Sequence, residues 1–347
     1  MKDYIQKLQE EHCLTKEEFT ALLSCQDKSV YDYAREQAAK IRQQIFGRDI
    51  YIRGLIEISN HCKNDCYYCG IRRSNRRVSR YRLTHSQILD CCQEGHELGF
   101  RTFVLQGGED PWYTDQILTD VVRDIKKNFP DCAVTLSLGE RSRESYEKLY
   151  AAGADRYLLR HETASEEHYR KLHPDGLSLQ NRKECLWNLK KIGFQTGAGF
   201  MVGSPGQTVE HLAKDLLFLR ELSPQMVGVG PFLRHQDTPF ADQPNGSLQL
   251  TLFLLSLIRL MLPKTLLPAT TALSALHPDG RKLGILAGCN VVMPNLSPTA
   301  VREKYLLYDH KPATGLEAAE SIELLKKQMK EIGYQVVCQR GDYPQSE

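Results

Sequence analysis

The chain has 347 residues, of which 41% are hydrophobic and 25% charged, and its net charge is +2 with histidine neutral. These values are ordinary for a globular enzyme and give no bulk electrostatic reason to expect a nucleic acid or an anionic membrane as a partner. Because no apolar run is long enough to span a bilayer and the first residues, MKDYIQKLQEEH, are too polar for a signal peptide, we expect a soluble cytoplasmic protein.

Helical and strand patterns alternate along most of the chain. Residues 1–46 are predicted to be helical, with Gly47 as the stop. Amphipathic helices then open at Thr84, where Gln87 completes a capping-box pattern, and at Thr208. Eight short apolar runs separate the helices: LIEIS (55–59), TFVLQG (102–107), AVTLSLG (133–139), RYLLRHE (156–162), QTGAGFMVG (195–203), MVGVGPF (226–232), LLPATT (266–271) and VVMPN (291–295).

This alternation indicates the fold. Apolar strands that alternate with helices are typical of parallel strands buried on both faces. Eight such units over about 245 residues have the size of a complete (β/α)8 TIM barrel. We therefore predict an α/β fold with a helical extension at 1–46, the barrel at 47–310, and a C-terminal helix and tail at 311–347. The functional groups of such barrels lie at the C-terminal ends of the strands.

Cys62, Cys66 and Cys69 form a C-x3-C-x2-C pattern directly after the first predicted strand. Three thiolates on one short loop can bind three irons of a cubane cluster and leave the fourth iron open to the amino and carboxylate groups of a methionyl ligand. The pattern predicts a [4Fe–4S] cluster that reductively cleaves S-adenosylmethionine (SAM), with Tyr68 covering the adenine. The alternatives are three buried structural thiols or zinc, for which His61 is poorly placed as a fourth ligand.

The other eight cysteines are interpreted differently. A disulfide framework is improbable in a long chain without an export signal, and eleven cysteines cannot all pair. Those within the predicted barrel are expected to be small buried hydrophobic residues or surface thiols, and the rest lie in the terminal extensions. The first group is Cys91, Cys92, Cys132, Cys185 and Cys289, and the second is Cys13, Cys25 and Cys338.

A SAM pocket is predicted beside the cysteine loop. The second strand ends in LQGGED, where Gly107 and Gly108 leave a bare backbone edge and Glu109 offers an acceptor for an ammonium group. A glycine pair alone is usually only a turn, so this prediction depends on its place after the cysteine loop. Glu162 and Arg182 are the candidates for the ribose hydroxyls and the carboxylate, although most charged residues form surface pairs instead.

Several longer segments carry a resemblance to a known family. CKNDCYYCGIRRSN, VLQGGEDPWY, DRYLLRHETA, GAGFMVGSPGQT, LPATTA and GCNVVMPNLSP, with the spacing between them, resemble the HydE family of [FeFe]-hydrogenase maturases over roughly residues 45–310. The resemblance implies a radical SAM enzyme that makes the 5′-deoxyadenosyl radical during assembly of the hydrogenase di-iron subcluster. The implied substrate is a small cysteine-ligated iron complex carrying carbon monoxide and cyanide. Other maturases and an electron donor such as ferredoxin or flavodoxin are the implied partners.

The resemblance also implies roles for individual residues. SAM contacts are implied at Gly108, Glu109, Ser137, Glu162 and Arg182, and the substrate cavity at Arg160, His161, Met226, Thr270, Thr271 and Met293. The hydroxyl and cationic groups among them, together with Thr135, suit an anionic organometallic ligand. Strand-end threonines often bond only to backbone, however, and the two methionines could equally be apolar core.

Three other functions are alternatives to a maturase. A methylornithine synthase-like amino-acid mutase shares the barrel but should offer acidic groups for the amines of its substrate. Biotin synthase should carry cysteines for a second cluster on other strands, and the fourth to seventh strands have none. A non-catalytic iron–sulfur redox protein has no need of the GGED edge. Because no cysteine occurs from Leu296 to Val337, we expect one cluster per chain.

Overall fold

The computed structural model describes residues 1–311 and 318–344. The chain begins with three helices, α1 (Lys2–Glu11), α2 (Lys16–Ser24) and α3 (Lys28–Phe46), in the region predicted to be helical. The ring of Tyr31 on α3 stacks on that of Phe253 at 4.1 Å, so the N-terminal helices pack against the later part of the chain. Residues 312–317 and 345–347 of the predicted C-terminal segment lie outside the described part.

Strands and helices then alternate. The strands are β1 (Asp49–Ile52), β2 (Gly54–Ser59), β3 (Thr102–Gly107), β4 (Ala133–Ser137), β5 (Arg156–Leu158), β6 (Gln195–Ala198), β7 (Met201–Val202), β8 (Met226–Val227), β9 (Gly230–Pro231), β10 (Val291–Val292) and β11 (Gln335–Val337). The helices are α4 (His85–Glu97), α5 (Asp115–Asn128), α6 (Arg143–Ala151), α7 (Glu166–Leu172), α8 (Leu179–Ile192), α9 (Val209–Leu222), α10 (Leu248–Met261), α11 (Thr271–Leu276), α12 (Gly280–Leu286), α13 (Thr299–Arg302) and α14 (Ala318–Glu331).

Six strands form one parallel sheet in the order β2-β3-β4-β5-β6-β8. Two smaller sheets, β10-β1-β11 and β7-β9, accompany it. The predicted seventh run, residues 266–271, contributes only isolated parallel bridges from Leu266 to Met226 and from Pro268 to Val291. Pro268 has no N–H to donate, which explains why a longer ladder does not form there.

The helix starts read from the sequence are confirmed. Thr84 caps α4 and Thr208 caps α9, and in each case the side chain of the third helical residue bonds back to the threonine N–H. For α4 that residue is Gln87, as predicted. These reciprocal bonds satisfy two otherwise unpaired donors at the start of the helix. Each helix is thereby started at a defined point after the strand before it.

The end of the described chain packs at the amino-terminal ends of the strands. Strand β11 pairs in parallel with β1, with Val336 opposite Ile50. The Arg156 guanidinium, at the start of β5, donates to Asp342 at 2.6 Å. The opposite ends of the strands, where the predicted site lies, are left to other loops. Among the described residues, no helix is long and apolar enough to cross a membrane.

Candidate functional site

The cysteine loop follows β2 and is fixed at two points. The Tyr67 N–H donates to the carbonyl of Leu172 and the Gly70 N–H to that of Leu307, both at 2.9 Å. Cys62, Cys66 and Cys69 are free and partly buried.

Cys66 and Cys69 are linked by a hydrogen bond from the Cys69 N–H to the Cys66 carbonyl at 3.4 Å. Burial, and then the neighbouring Cys62, raises the pKa of Cys69 to about 12. Three free thiols on one loop of eight residues are the soft donor set that an iron–sulfur cluster needs. The three residues therefore fit a cluster.

Gly108 is the point where the loop after β3 meets the cysteine loop. Its N–H donates to the carbonyl of Ser59 at 3.1 Å. A Cβ atom at this position would lie 2.2 Å from the His61 carbonyl oxygen and 2.8 Å from the Cβ of Cys62. At Gly107 the nearest such contact is 3.3 Å, which is tight but less severe. Only glycine lets the two loops run this close together.

Glu109 is held by its neighbours on the adjacent strand ends. Its carboxylate accepts the N–H of Glu140 at 3.0 Å and lies 3.3 Å from the ammonium of Lys63. Arg182, on α8, approaches it at 3.8 Å while pairing with Glu140 at 2.5 Å. The predicted carboxylate-binding arginine and the predicted ammonium acceptor are therefore neighbours. Ser137, at the end of β4, stands opposite Gln106 of β3 on the same edge.

Glu162 has an unusual backbone. Its φ is +64°, a left-handed conformation uncommon for a residue other than glycine. Its N–H donates to the carbonyl of Gly199 at 3.1 Å, and its carboxylate accepts from Arg160 at 2.9 Å. The Arg182 guanidinium also donates to the Arg160 carbonyl at 3.2 Å. Left-handed residues are enriched at functional sites, where the surrounding structure maintains the strain.

Tyr68 is anchored on the other side of the cysteine loop. Its hydroxyl lies 3.3 Å from Nε2 of His173, and the two rings meet edge to face at 5.5 Å. Its ring also packs against a small apolar cluster formed by Leu172, Met201 and Phe232. The ring next to Cys69 therefore has a fixed orientation.

Several buried polar atoms near the strand ends lack a partner among the described residues. They are Oγ1 of Thr135, Oγ1 of Thr270 and Nε of Arg160. Thr271 is satisfied, since its hydroxyl lies 3.2 Å from that of Tyr308. Buried polar groups are nearly always hydrogen-bonded in native proteins, so unpaired hydroxyls and a guanidinium N–H point to a polar ligand or ordered water. These donors suit an anion.

The methionines have mainly apolar surroundings. Met226 packs with Phe46, Leu266 and Val291, and Met293 packs against the same cluster. Sδ of Met226 also lies 3.0 Å from the guanidinium of Arg53. The apolar-core interpretation left open for both residues agrees with these contacts.

His161 is not brought together with the other predicted substrate-cavity residues. Its side chain is fully buried, with Nε2 3.3 Å from Asp215 and its ring 4.9 Å from Phe218, both on α9. Burial lowers the pKa of His161 well below its usual value, so the ring is neutral at pH 7. Arg160, the preceding residue, pairs instead with Glu162.

Sequence reasoning missed a buried ion pair at the same strand ends. Glu57 on β2 pairs with Lys311, and the Asn295 amide donates to the same carboxylate at 3.0 Å. Tyr305 lies nearby, with its hydroxyl accepting from Gln106 at 3.4 Å. A single carboxylate inside the apolar run LIEIS was the available signal, because a buried charge needs a partner.

The interpretation of the cysteines outside the loop is confirmed. All eleven are free, and the five in the predicted barrel are buried. Cys13 and Cys25 are partly buried and Cys338 is exposed.

Comparisons with known proteins agree with this geometry. The family model of the Radical SAM superfamily matches residues 56–219. An [FeFe] hydrogenase maturase subunit HydE from Thermotoga maritima is 43% identical over 332 residues, which cover 96% of this chain and 94% of that protein. A 3-methylornithine synthase from Methanosarcina barkeri is 31% identical over 308 residues, covering 87% of this chain and 85% of that protein.

Solved structures include a similar fold. The crystal structure of methylornithine synthase (PylB) has a TM-score of 0.81 at 27% identity and covers 96% of this chain and 97% of its own. The α/β fold with a parallel sheet of six strands is therefore shared with a radical SAM relative. Together with the identity to the maturase subunit, this confirms the resemblance found in the sequence. The chain is a radical SAM enzyme and belongs to the family of the [FeFe] hydrogenase maturase subunit HydE.

Proposed function

We propose that Cys62, Cys66 and Cys69 hold a single [4Fe–4S] cluster and that SAM binds beside it. Membership of the radical SAM superfamily implies both cofactors. When bound, the cluster supplies the electron that cleaves the sulfonium of SAM to give the 5′-deoxyadenosyl radical. The observation that carries the proposal is the contact of the cysteine loop with Gly108, which leaves room for no side chain.

The residues around the loop would orient SAM. Glu109 accepts the ammonium group and Arg182 attracts the carboxylate, while Gly107 and Gly108 expose backbone edges to the same end of the ligand. Ser137 and Glu162 offer a hydroxyl and a carboxylate for polar groups of the nucleoside. Tyr68 covers the adenine. The ion pairs and hydrogen bonds described above hold these groups in place before SAM arrives, which lowers the entropy cost of binding.

We further propose that the enzyme acts in assembly of the hydrogenase di-iron subcluster, on a small cysteine-ligated iron complex with carbon monoxide and cyanide ligands. The unpaired hydroxyls of Thr135 and Thr270 and the N–H of Arg160 support an anionic substrate. Thr271 and Met226 are proposed to contact it. His161, whose ring faces Asp215 on α9, is proposed only to fix the backbone at this strand end by accepting the Gly199 N–H at 3.4 Å. The name of the 43% identical relative, an [FeFe] hydrogenase maturase subunit, agrees with this role.

An amino-acid mutase of the methylornithine synthase kind is the competing proposal. Such a substrate carries amines, which need free carboxylates. The buried carboxylate of Glu57 is already neutralised by Lys311. This pairing favours the maturase function.

The barrel itself is proposed to be complete. Three parallel bridges continue the pairing of the six-stranded sheet, from Met226 to Leu266, from Pro268 to Val291, and from Asn295 back to Leu55 on β2. A closed set of strands would surround the substrate and exclude water from the reacting radical.

Anaerobic reconstitution with iron and sulfide, followed by dithionite and SAM, tests the cofactor proposal. We expect iron and sulfide for one cluster per chain, and formation of 5′-deoxyadenosine. Cys66→Ala should abolish SAM cleavage, whereas the control Cys338→Ala, at an exposed thiol, should retain it. Cleavage by the Cys66 variant, or iron and sulfide for a second cluster, would contradict the assignment. Activation of a hydrogenase with the other maturases tests the assembly role.

A further inference from the structure

Glu162 is the middle residue of a strained three-residue turn, which we call the Glu162 turn (His161 to Thr163). The Thr163 N–H donates to the carbonyl of His161, two positions earlier, at 2.8 Å. Because the φ of Glu162 is +64°, this hydrogen bond closes a γ-turn of the rare form with a positive φ. Such a conformation persists only where surrounding contacts hold it. The residues around the turn therefore decide where the Glu162 carboxylate lies.

One carboxylate oxygen contacts the chain on both sides of Glu162. Oδ1 of Asp215, on α9, accepts the N–H of Ala164, which follows the turn. The same oxygen lies 3.3 Å from Nε2 of His161, the first residue of the turn. The second contact is not aligned as a full hydrogen bond, so the Ala164 N–H makes the stronger of the two. Asp215 thus spans the strained residue.

Backbone hydrogen bonding fixes which nitrogen of His161 carries the hydrogen. The Gly199 N–H donates to Nδ1 at 3.4 Å, so Nδ1 is an acceptor. The ring, which burial keeps neutral, therefore carries its hydrogen on Nε2, the nitrogen that faces Asp215. The polarity of the contact is thus favourable, since an N–H group faces a carboxylate oxygen.

The backbone of the turn is also held from other directions. Lys183, on α8, donates to the carbonyl of Ala164 at 3.4 Å. The carbonyl of Glu162 itself accepts the N–H of Met201 at 3.2 Å. Asp215 is therefore the side chain that binds the N–H edge of this segment, while other groups bind its carbonyls.

Asp215 is a poor residue for core stability alone. Its side chain is fully buried, and its helix neighbours Leu212, Leu216 and Leu219 are apolar core. Oδ2 of Asp215 has no hydrogen-bond partner among the described residues. Buried polar atoms are nearly always paired, and a buried carboxylate with too few partners lowers stability. Its contacts with the Glu162 turn give this carboxylate a role that an apolar side chain could not fill.

We propose that Asp215 is a positioning residue that holds the Glu162 turn in the conformation that presents the Glu162 carboxylate to the nucleoside of SAM. The inference rests on the proposed function, because Glu162 is assigned to the nucleoside only there. Asp215 then affects SAM binding through Glu162 alone. This dependence separates positioning from a general contribution to the core.

A double-mutant cycle on the cluster-loaded protein tests the proposal, with SAM affinity measured by equilibrium dialysis. Asp215→Ala removes the acceptor, and Glu162→Gly removes the carboxylate while tolerating a positive φ. Asp215→Ala should weaken SAM binding about tenfold or more. The KM for SAM in 5′-deoxyadenosine formation should rise in parallel, with kcat nearly unchanged. In the Glu162→Gly background, Asp215→Ala should have almost no further effect, because the carboxylate that it positions is gone.

Three further variants control for folding. Asp215→Asn keeps an oxygen that can accept from Ala164, and should bind SAM like the parent. His211→Ala removes another buried side chain of α9, whose ring stacks on that of His168 at 4.8 Å, and should retain SAM affinity even if its Tm falls. Asp215→Val lacks the acceptor but fills more space, and replaces Asp215→Ala if that variant does not fold. Tm and iron content are measured for every variant.

The possible failures are distinguishable. Parent-like SAM affinity in Asp215→Ala, or an equal further loss in the Glu162→Gly background, would overturn the positioning role. So would a loss in Asp215→Asn as large as that in Asp215→Ala, because an acceptor oxygen would then not be what holds the turn. If the parent does not bind SAM, or Glu162→Gly alone leaves SAM affinity unchanged, the proposed function fails instead.

Discussion

Gly108 illustrates how one residue type can be required by packing alone. Its φ does not lie in the left-handed region, so the backbone conformation itself does not demand glycine. The requirement comes from the carbonyl of His61 and the Cβ of Cys62, which occupy the space that a side chain would need. The same closeness brings the proposed SAM-binding edge to the proposed cluster ligands. A two-glycine turn thus becomes informative only when the loop that faces it is known.

Replacing this glycine should disturb the site. Gly108→Ala forces the cysteine loop to move, and overpacking of this kind costs about 1–3 kcal/mol. If this free energy is lost from SAM binding, the affinity for SAM should drop about tenfold or more. Iron content after reconstitution and SAM affinity by equilibrium dialysis are the measurements. Gly107→Ala, whose nearest contact is 3.3 Å, is the matched control. Equal SAM affinity in the two variants would show that the close approach does not matter.

Site residues that are close together in the sequence could be predicted from it, whereas pairs that are far apart in the sequence could not. The three cysteines lie within eight residues, so their spacing alone predicted a shared ligand. Glu57 and Lys311 are separated by more than 250 positions, and no periodicity links them. Likewise, His161 follows a strand end as a catalytic residue would, yet its ring lies against Asp215 and Phe218 on α9. A prediction of which side chains face the cavity needs the register, which the sequence did not supply.

At the scale of elements, the segment from Asn60 to Arg80 is shaped by one side chain. The Arg80 guanidinium donates to carbonyls of Ile71, Arg72 and Asn75, and also to that of Asn60. A planar group with five donors can hold several carbonyls at once, which an ammonium group cannot do in the same geometry. We therefore regard Arg80 as the residue that fixes the loop of the proposed cluster.

Arg80→Lys should loosen this loop while preserving its charge. The cluster of the variant should be removed several-fold faster by an iron chelator, because the cysteine loop opens more often. The loss of visible absorbance after chelator addition measures this rate. Arg76→Lys is the control, since Arg76 is exposed and within the described residues has no ion pair. Identical rates of cluster loss for the parent and the Arg80 variant would show that Arg80 does not fix the cysteine loop.

Elements were predicted better where capping and periodicity act locally than where strands pair. Thr84 and Thr208 open helices as expected, because a capping box involves only neighbouring residues. The run at 266–271 is apolar enough for a strand but contains Pro268, which cannot donate to a ladder. In the structure this run makes only two isolated β-bridges, from Leu266 to Met226 and from Pro268 to Val291. The proline was visible in the sequence and was the signal to shorten that strand.

At the scale of the whole molecule, the two ends of the strands have different roles. The carboxyl ends carry the cysteine loop, Gly108, Glu109 and Glu162. The amino ends are covered by the last described residues, where Asp342 accepts from Arg156 and from Gln195 at 2.6 and 3.0 Å. The carbonyl of Arg340 accepts from Thr102 at 2.8 Å. These donors are the first residues of β5, β6 and β3, so one tail joins three strands far apart in sequence.

This arrangement predicts a pH-dependent contribution of the tail to stability. The pKa of Asp342 lies well below its usual value because hydrogen bonds and charge from Arg340 and Arg156 outweigh the effect of burial. A carboxylate with a lowered folded-state pKa stabilises the protein above its unfolded-state pKa of about 3.9, and the contribution is lost as the pH falls further. Asp342→Asn should therefore lower the free energy of unfolding at pH 7, and the difference from the parent should shrink as the pH falls below about 4. Urea unfolding of both proteins, once at pH 7 and once at a pH below about 4, measures this difference. Asp279→Asn, at an exposed carboxylate 3.5 Å from Lys282, should change little at either pH. An equal loss for Asp342→Asn at both pH values would mean that the tail acts through packing, and not through its charge.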